Sequence, residues 1–205
     1  MIFLGLPFAL ALATHKVASV ALGIGATIRH ARERALERNF TLFILATGMP
    51  GVVVGAMLVL QIPDRTAQMA LGVLTMGLGL YSWLNPGLGE KHAPINRNRR
   101  GYLLGGGVLF LIGVLNGSLT SGTGLFVTLW LVRWFGLDYR RAVAYTLILV
   151  GMFWNGTGAV TLGLLAGSLL GGYIGAHMAI KKGSRWIKRG FEVITLLVGL
   201  KLIVG

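Results

Sequence analysis

Uncharged apolar stretches separated by short basic clusters run through this chain from end to end. Met1 to Thr14 is apolar and contains Pro7, and Val17 to Ile28 is rich in Gly and Ala. Asn39 to Pro63 holds 25 residues without a charge, and Thr66 to Gly89 forms another such run. Ala142 to Ile180 extends for 39 uncharged residues, and Val193 to Val204 closes the chain with only Lys201 inside it. About 20 apolar residues make one helical crossing of a bilayer. The pattern therefore predicts an all-α polytopic membrane protein with roughly 6–8 membrane segments, two of them from Ala142 to Ile180 with a turn at Asn155 to Gly158. Gly51 and Gly55 supply a GxxxG face for close helix packing.

One span breaks the rule. Gly101 to Val132 carries no charge over 32 residues, too long for one crossing and too short for two. Its centre, Asn116 to Gly124, reads NGSLTSGTG, and eight of these nine residues are Gly, Ser, Thr or Asn. Such a composition opposes a continuous helix and supplies hydroxyl and backbone donors. Unwound backbone at membrane depth persists only inside protein or beside a water-filled cavity. A broken or re-entrant segment whose half-helix ends face a ligand is the expectation.

Composition agrees with the membrane class. The chain is 55% hydrophobic and 12% charged, with 32 glycines and no cysteine. Disulfides, thiolate metal sites and cysteine nucleophiles are thereby excluded. A net charge of +13 raises nucleic acid as a partner, but the basic residues sit between apolar spans, where membrane proteins place cytoplasmic loops. No nucleic-acid partner is expected. The histidines at 15, 30, 92 and 177 are scattered without HExxH spacing, so no metal site, cofactor or catalytic residue is assigned. His177 reads as an interfacial histidine, with a proton relay as the other reading. The tryptophans at 130, 134, 154 and 186 read as interfacial anchors.

An internal repeat organises the spans. At an offset of 120, Gly51, Gly55, Ala56, Arg65, Val73, Thr75, Gly79 and Leu80 superpose on identical residues at 171, 175, 176, 185, 193, 195, 199 and 200. Residues 1–84 form a first repeat, 85–101 a basic connector and 102–205 a second repeat. The copy-one counterpart of NGSLTSGTG falls before Met1, so the first repeat is expected to be incomplete. If Tyr102 to Trp134 enters and returns on one side, the basic clusters at 29–39, 85–100, 133–141 and 181–189 share one face. Only Lys16, Arg65 and Lys201 then lie opposite, which meets the positive-inside bias and inverts the second repeat relative to the first. The four clusters are expected to be cytoplasmic, in the cell (inner or plasma) membrane.

GVLNGSLTSGTGLFVTLWL (Gly113 to Leu131), RAVAYTL (Arg141 to Leu147) and Leu165 to Ile203 resemble the TauE/SafE family of sulfite-exporter-like membrane permeases. The first Gly-rich break of that family and the helix before it are expected to lack a counterpart in this sequence. The resemblance implies a permease for small sulfur-containing anions, sulfite or organosulfonates. Nothing in the periodicity indicates sulfur.

Candidate substrate-binding residues follow from the break. A helix N-terminus carries partial positive charge and free N–H groups, so an oxyanion can bind without a formal cation. Thr120, Ser121, Gly122, Thr123 and Gly124 open the second arm, with Ser118 before them; the alternative reading is a small-residue kink that lets helices pack. Asn116 is a ligand donor or a cap on the break. Pro7 marks the opposed half-helix or a bare kink. Tyr145 and Thr146 line the path or pack. The function expected is alternating-access transport of a small anionic substrate; an anion channel and a non-transporting membrane subunit are the alternatives. The lipid bilayer is the surrounding partner, and a homo-oligomer is left open.

Overall fold

The computed structural model describes residues 18–26, 28–29, 36–57, 64–119, 124–151 and 162–204. All regular structure among them is helical: α1 (18–26), α2 (Arg38–Met57), α3 (Asp64–Leu84), α4 (Arg99–Leu119), α5 (Gly124–Phe135), α6 (Tyr139–Gly151), α7 (Leu162–Lys182) and α8 (Ser184–Val204). By length and hydropathy, Arg38–Gly55 of α2 and Arg99–Gly117 of α4 qualify as membrane crossings. The described 12 residues of α5 and 13 of α6 make rods of about 18–20 Å, against a hydrocarbon core of about 30 Å.

Glycine decides how the helices meet. A Cβ at Gly51 would run into the carbonyl of Phe110, one at Gly55 into that of Val114, and one at Gly113 into that of Gly48. From Gly106 against Phe43 and Thr47, through Phe110 against Gly51, to Val114 against Gly55, residues ascending α4 face residues ascending α2, so the two helices run parallel at backbone contact. The predicted face of Gly51 and Gly55 is the surface that closes. Elsewhere the sense is opposite. Trp134 Nε1 donates to the Gly101 carbonyl at 3.0 Å and Trp130 Nε1 to that of Gly105 at 3.2 Å, which folds α5 back antiparallel along α4. In α3 and α8, Gly79 faces Thr195 and Gly199 faces Gly72 and Met76, so this pair is antiparallel as well.

The connectors meet at one end of the bundle. Ala93 and Ile95 donate backbone N–H groups to the Gly136 and Phe135 carbonyls at 2.9 and 3.1 Å, and Tyr139 N donates to the Gly89 carbonyl at 2.9 Å. Segment 85–98 is thereby strapped across the α5–α6 corner. Asn98 Oδ1 accepts from Gly101 N at 2.7 Å and Asp138 Oδ1 from Arg141 N at 2.9 Å, capping α4 and α6 where the first-turn N–H groups lack helical partners. Gly136 and Gly183 end α5 and α7 with φ of +67° and +77°, a conformation that L side chains resist. Arg185 pairs with Glu90 at 3.1 Å, and Arg97 with Glu37 at 3.5 Å. The described parts of all four basic clusters therefore lie at the same end.

Several predicted boundaries move. The final helix starts at Ser184, not Val193, and α4 at Arg99, inside the expected connector. The expected loop at 181–189 reduces to Gly183. Lys and Arg favour helix, and their long side chains reach water from a helix end, so charge marks the interface without ending the helix.

The core centres on Phe40, Ile44, Leu109, Leu131, Phe135, Tyr145 and Leu149. Large apolar side chains also cover the outside: Leu103 is 69% and Leu197 63% exposed. An apolar exterior suits a bundle whose solvent is lipid.

Candidate functional site

The site expected at the break lies between the last turn of α4 and the first of α5. Antiparallel packing of these helices brings the two ends to the same level, and α6, antiparallel to α5, brings Thr146 to Gly124. A Cβ on Gly124 would sit 3.3 Å from Thr146 Cγ2 and 3.7 Å from Val150 Cγ2, so the start of α5 is closed against α6. Thr128, one turn into α5, meets Thr146 hydroxyl to hydroxyl at 2.9 Å; both are buried. Thr128 Oγ1 also lies 3.0 Å from the Gly124 carbonyl and Thr146 Oγ1 2.9 Å from that of Ala142. Two hydroxyls carry two protons for these three contacts. The pair is consumed within the hairpin and fixes the opening turn of α5.

Asn116 sits in the last turn of α4 at 9% exposure, beside buried Gly117. Ser118 lies on the same turn. Pro7 and Thr120, Ser121, Gly122 and Thr123 fall outside the described residues, as do Asn155 and Thr157. Tyr145 is not gathered at the break. Its hydroxyl accepts from Glu37 N–H at 2.8 Å and its ring lies edge-on to Phe40 at 5.1 Å, tying α6 to the start of α2.

Four groups of interactions escaped sequence reasoning. Thr128 carried no signal beyond its spacing of four from Gly124. Trp130 and Trp134, expected as lipid anchors, stack at 5.1 Å and clamp α5 to α4; the matching spacing of Gly101 and Gly105 was the available clue. Lys188, only 5% exposed, donates to the Asn85 and Pro86 carbonyls and lies 3.8 Å from Glu192. Glu192 in turn accepts from Ser82 Oγ at 3.0 Å, and Ser82 meets the Tyr139 hydroxyl at 2.7 Å, so one polar chain joins α3, α6 and α8. His177, which sequence left between relay and interface, accepts from Arg29 Nε at 3.2 Å.

Under the strap, the Arg97 guanidinium lies 3.8 Å above the Phe40 ring and donates to the Tyr102 hydroxyl at 3.2 Å. Nearby, burial and then the Arg141 charge lower the pKa of His92 from its ordinary 6.5.

Among the described residues, a helical bundle with a lipid-suited exterior and backbone-contact glycine packing fits a membrane protein. The chain belongs to the sulfite exporter TauE/SafE family, whose profile matches residues 1–202. It is 26% identical over 219 residues to a probable membrane transporter protein of Haemophilus influenzae, covering 99% of this chain and 83% of that one. It is 28% identical over 218 residues to the probable membrane transporter protein YfcA of Escherichia coli K12, covering 97% and 77%. A probable membrane transporter protein, ORF9, of Sinorhizobium is 26% identical over 216 residues, covering 99% and 81%. No solved structure matches the chain.

Proposed function

We propose that the protein is a permease for a small sulfur oxyanion or organosulfonate, bound at the opening of α5. The observation that carries this reading is the clamped start of that helix. Thr128 bonds the Gly124 carbonyl and meets the Thr146 hydroxyl, so the described first turn of α5 is held against α6. A fixed helix N-terminus presents aligned N–H dipoles to an anion without the cost of a buried cation. In sequence, Thr120, Ser121 and Thr123 carry hydroxyls just ahead of it, and Asn116 in the last turn of α4 carries an amide. The family's description as sulfite exporters supports sulfite-like chemistry.

Alternating access by two inverted repeats is the transport mode we infer. α3 and α8 have the same 21-residue length at an offset of 120, and they pack antiparallel with Gly79 on Thr195 and Gly199 beside Thr75's neighbour Met76. Such mutual, antiparallel contact is what a two-fold axis in the membrane plane would produce. The end that gathers the basic clusters is assigned to the cytoplasm of the inner or plasma membrane by the positive-inside bias. Six to eight membrane segments, about as many as the helices, then build the bundle.

Flux in proteoliposomes tests the site. Ser121→Ala with Thr123→Ala is expected to reduce sulfite flux at least tenfold while leaving the protein folded, the loss of one to two hydrogen bonds to a charged ligand. Undiminished flux would remove these residues from the site.

A further inference from the structure

Three consecutive glycines in α4, Gly105, Gly106 and Gly107, point to three different surroundings. A Cβ at Gly105 would collide with Phe135 and Trp134 of α5, and one at Gly106 would press on Thr47 and Phe43 of α2. Protein packing thus accounts for the first two. At Gly107 a Cβ would meet nothing within 4 Å. It forms instead the floor of an open groove of about 450 Å³ between α2 and α4, walled by Phe43, Thr47 and Leu103. The lining surface is mostly apolar: the Thr47 hydroxyl donates to the Phe43 carbonyl and the Tyr102 hydroxyl accepts from Arg97, and Arg99 is the one charged residue of the lining. Arg99, exposed at the start of α4, stands at the mouth, on the same end of the bundle as the other basic clusters, and has no carboxylate partner among the described residues.

We propose that this groove is a binding site for an anionic phospholipid of the leaflet at the basic end, the acyl chain lying over Gly107 and the phosphate on Arg99. The two parts of the groove match the two parts of such a lipid. An apolar trough at membrane depth is filled by a hydrocarbon chain, since water there would lack hydrogen-bond partners. A guanidinium at the interface engages a phosphate through paired N–H groups, and basic pockets between membrane helices select anionic headgroups in this way. The zwitterionic choline headgroup offers the phosphate with a compensating cation, so charge selects between lipids that share one chain. This assignment stands whether or not the anion permease reading holds, because it needs only the membrane and the groove.

The test uses the full chain, purified in detergent and delipidated, with dioleoyl phosphatidylglycerol and dioleoyl phosphatidylcholine as probes. Native mass spectrometry counts bound lipid and thermal unfolding reads stabilisation. The wild type is expected to retain phosphatidylglycerol in preference to phosphatidylcholine and to unfold at higher temperature with it. Arg99→Gln should cut that preference about fivefold, the contribution of one cation near a membrane surface. Arg100→Gln, next to the groove but outside its lining, should keep the preference. Gly107→Leu, whose Cβ meets nothing within 4 Å, projects into the trough and should lose both lipids. Equal retention of the two lipids by the wild type, or unchanged preference in Arg99→Gln, overturns the proposal, and the second outcome is readable even if Gly107→Leu does not fold. A dimer that Gly107→Leu dissociates would also overturn it, since the occupant is then a second copy.

Discussion

The hydroxyls of Thr128 and Thr146 meet at 2.9 Å across the α5–α6 hairpin, and through them the opening turn of α5 is held against α6. Neither residue needs to touch an anion to matter for binding one. The pair sets where the N–H groups of the half-helix point, so it acts on any ligand through geometry.

Thr146→Val should therefore separate folding from binding. Losing one buried hydroxyl contact costs about 0.6–1.5 kcal/mol in thermal or denaturant unfolding. Substrate flux should fall by a larger factor than this modest destabilisation suggests, while Thr146→Ser, which keeps the hydroxyl, restores it. Equal flux in the wild type, Thr146→Val and Thr146→Ser would show that the hairpin clamp has no bearing on transport.

Glycine substitutions should sort by what a Cβ would meet. Gly51→Ala and Gly55→Ala push α2 off the carbonyls of α4 and should each destabilise by about 1–3 kcal/mol. Gly77→Ala meets nothing within 4 Å and replaces Gly in a helix interior, so it should be neutral or gain up to about 1 kcal/mol. Unfolding temperatures of the three variants in detergent check the order; Gly77→Ala as the most damaging of them would contradict the packing described.

Lys188 and Glu192 should be coupled. Lys188→Met removes the side-chain donor to the Pro86 carbonyl and the cation beside Glu192, leaving Asn85 its Leu88 N–H and Glu192 its Ser82 hydroxyl, and loss of one member of a buried pair costs about 3–5 kcal/mol. Adding Glu192→Met should recover part of that loss. A double-mutant cycle with additive effects would dissolve the pair as an energetic unit.

His92 gives the connector a pH dependence of known sign. Its folded pKa lies below 6.5, from burial first and Arg141 second, while the unfolded chain titrates near 6.5. Between the two values the unfolded state binds more protons, so stability falls as pH drops from about 6.5 through the folded pKa. His92→Asn should flatten this part of the stability profile. A wild-type profile that instead rises on acidification over this window would contradict the burial of His92.

How much of this was legible in the sequence varies by element. The uncharged runs and the Gly51/Gly55 face are local patterns with one dominant physical cause, and the helices and the α2–α4 contact follow them; Asn116 to Leu119, expected as part of the break, continue α4 as helix. The gathering of the basic clusters followed from a count of charges. The start of α8 at Ser184 was hidden because five cations from Lys181 to Arg189 read as a loop, although cations at an interface leave a helix intact. The Trp130 and Trp134 clamp, the Thr128 partner and the Lys188 chain depend on which helices become neighbours, and no local pattern states that. Pro7 and Thr120 to Thr123 are known here from sequence alone.

Counterflow in proteoliposomes distinguishes alternating-access exchange of sulfur anions from a pore. Vesicles loaded with unlabelled sulfite and diluted into trace labelled sulfite should accumulate label transiently and saturably with the wild type, and not with Ser121→Ala/Thr123→Ala. Chloride inside should not drive that accumulation. Label entry that is unsaturable and indifferent to internal sulfite would contradict alternating access, and no entry of sulfite, thiosulfate or any small sulfonate would contradict a sulfur-anion permease.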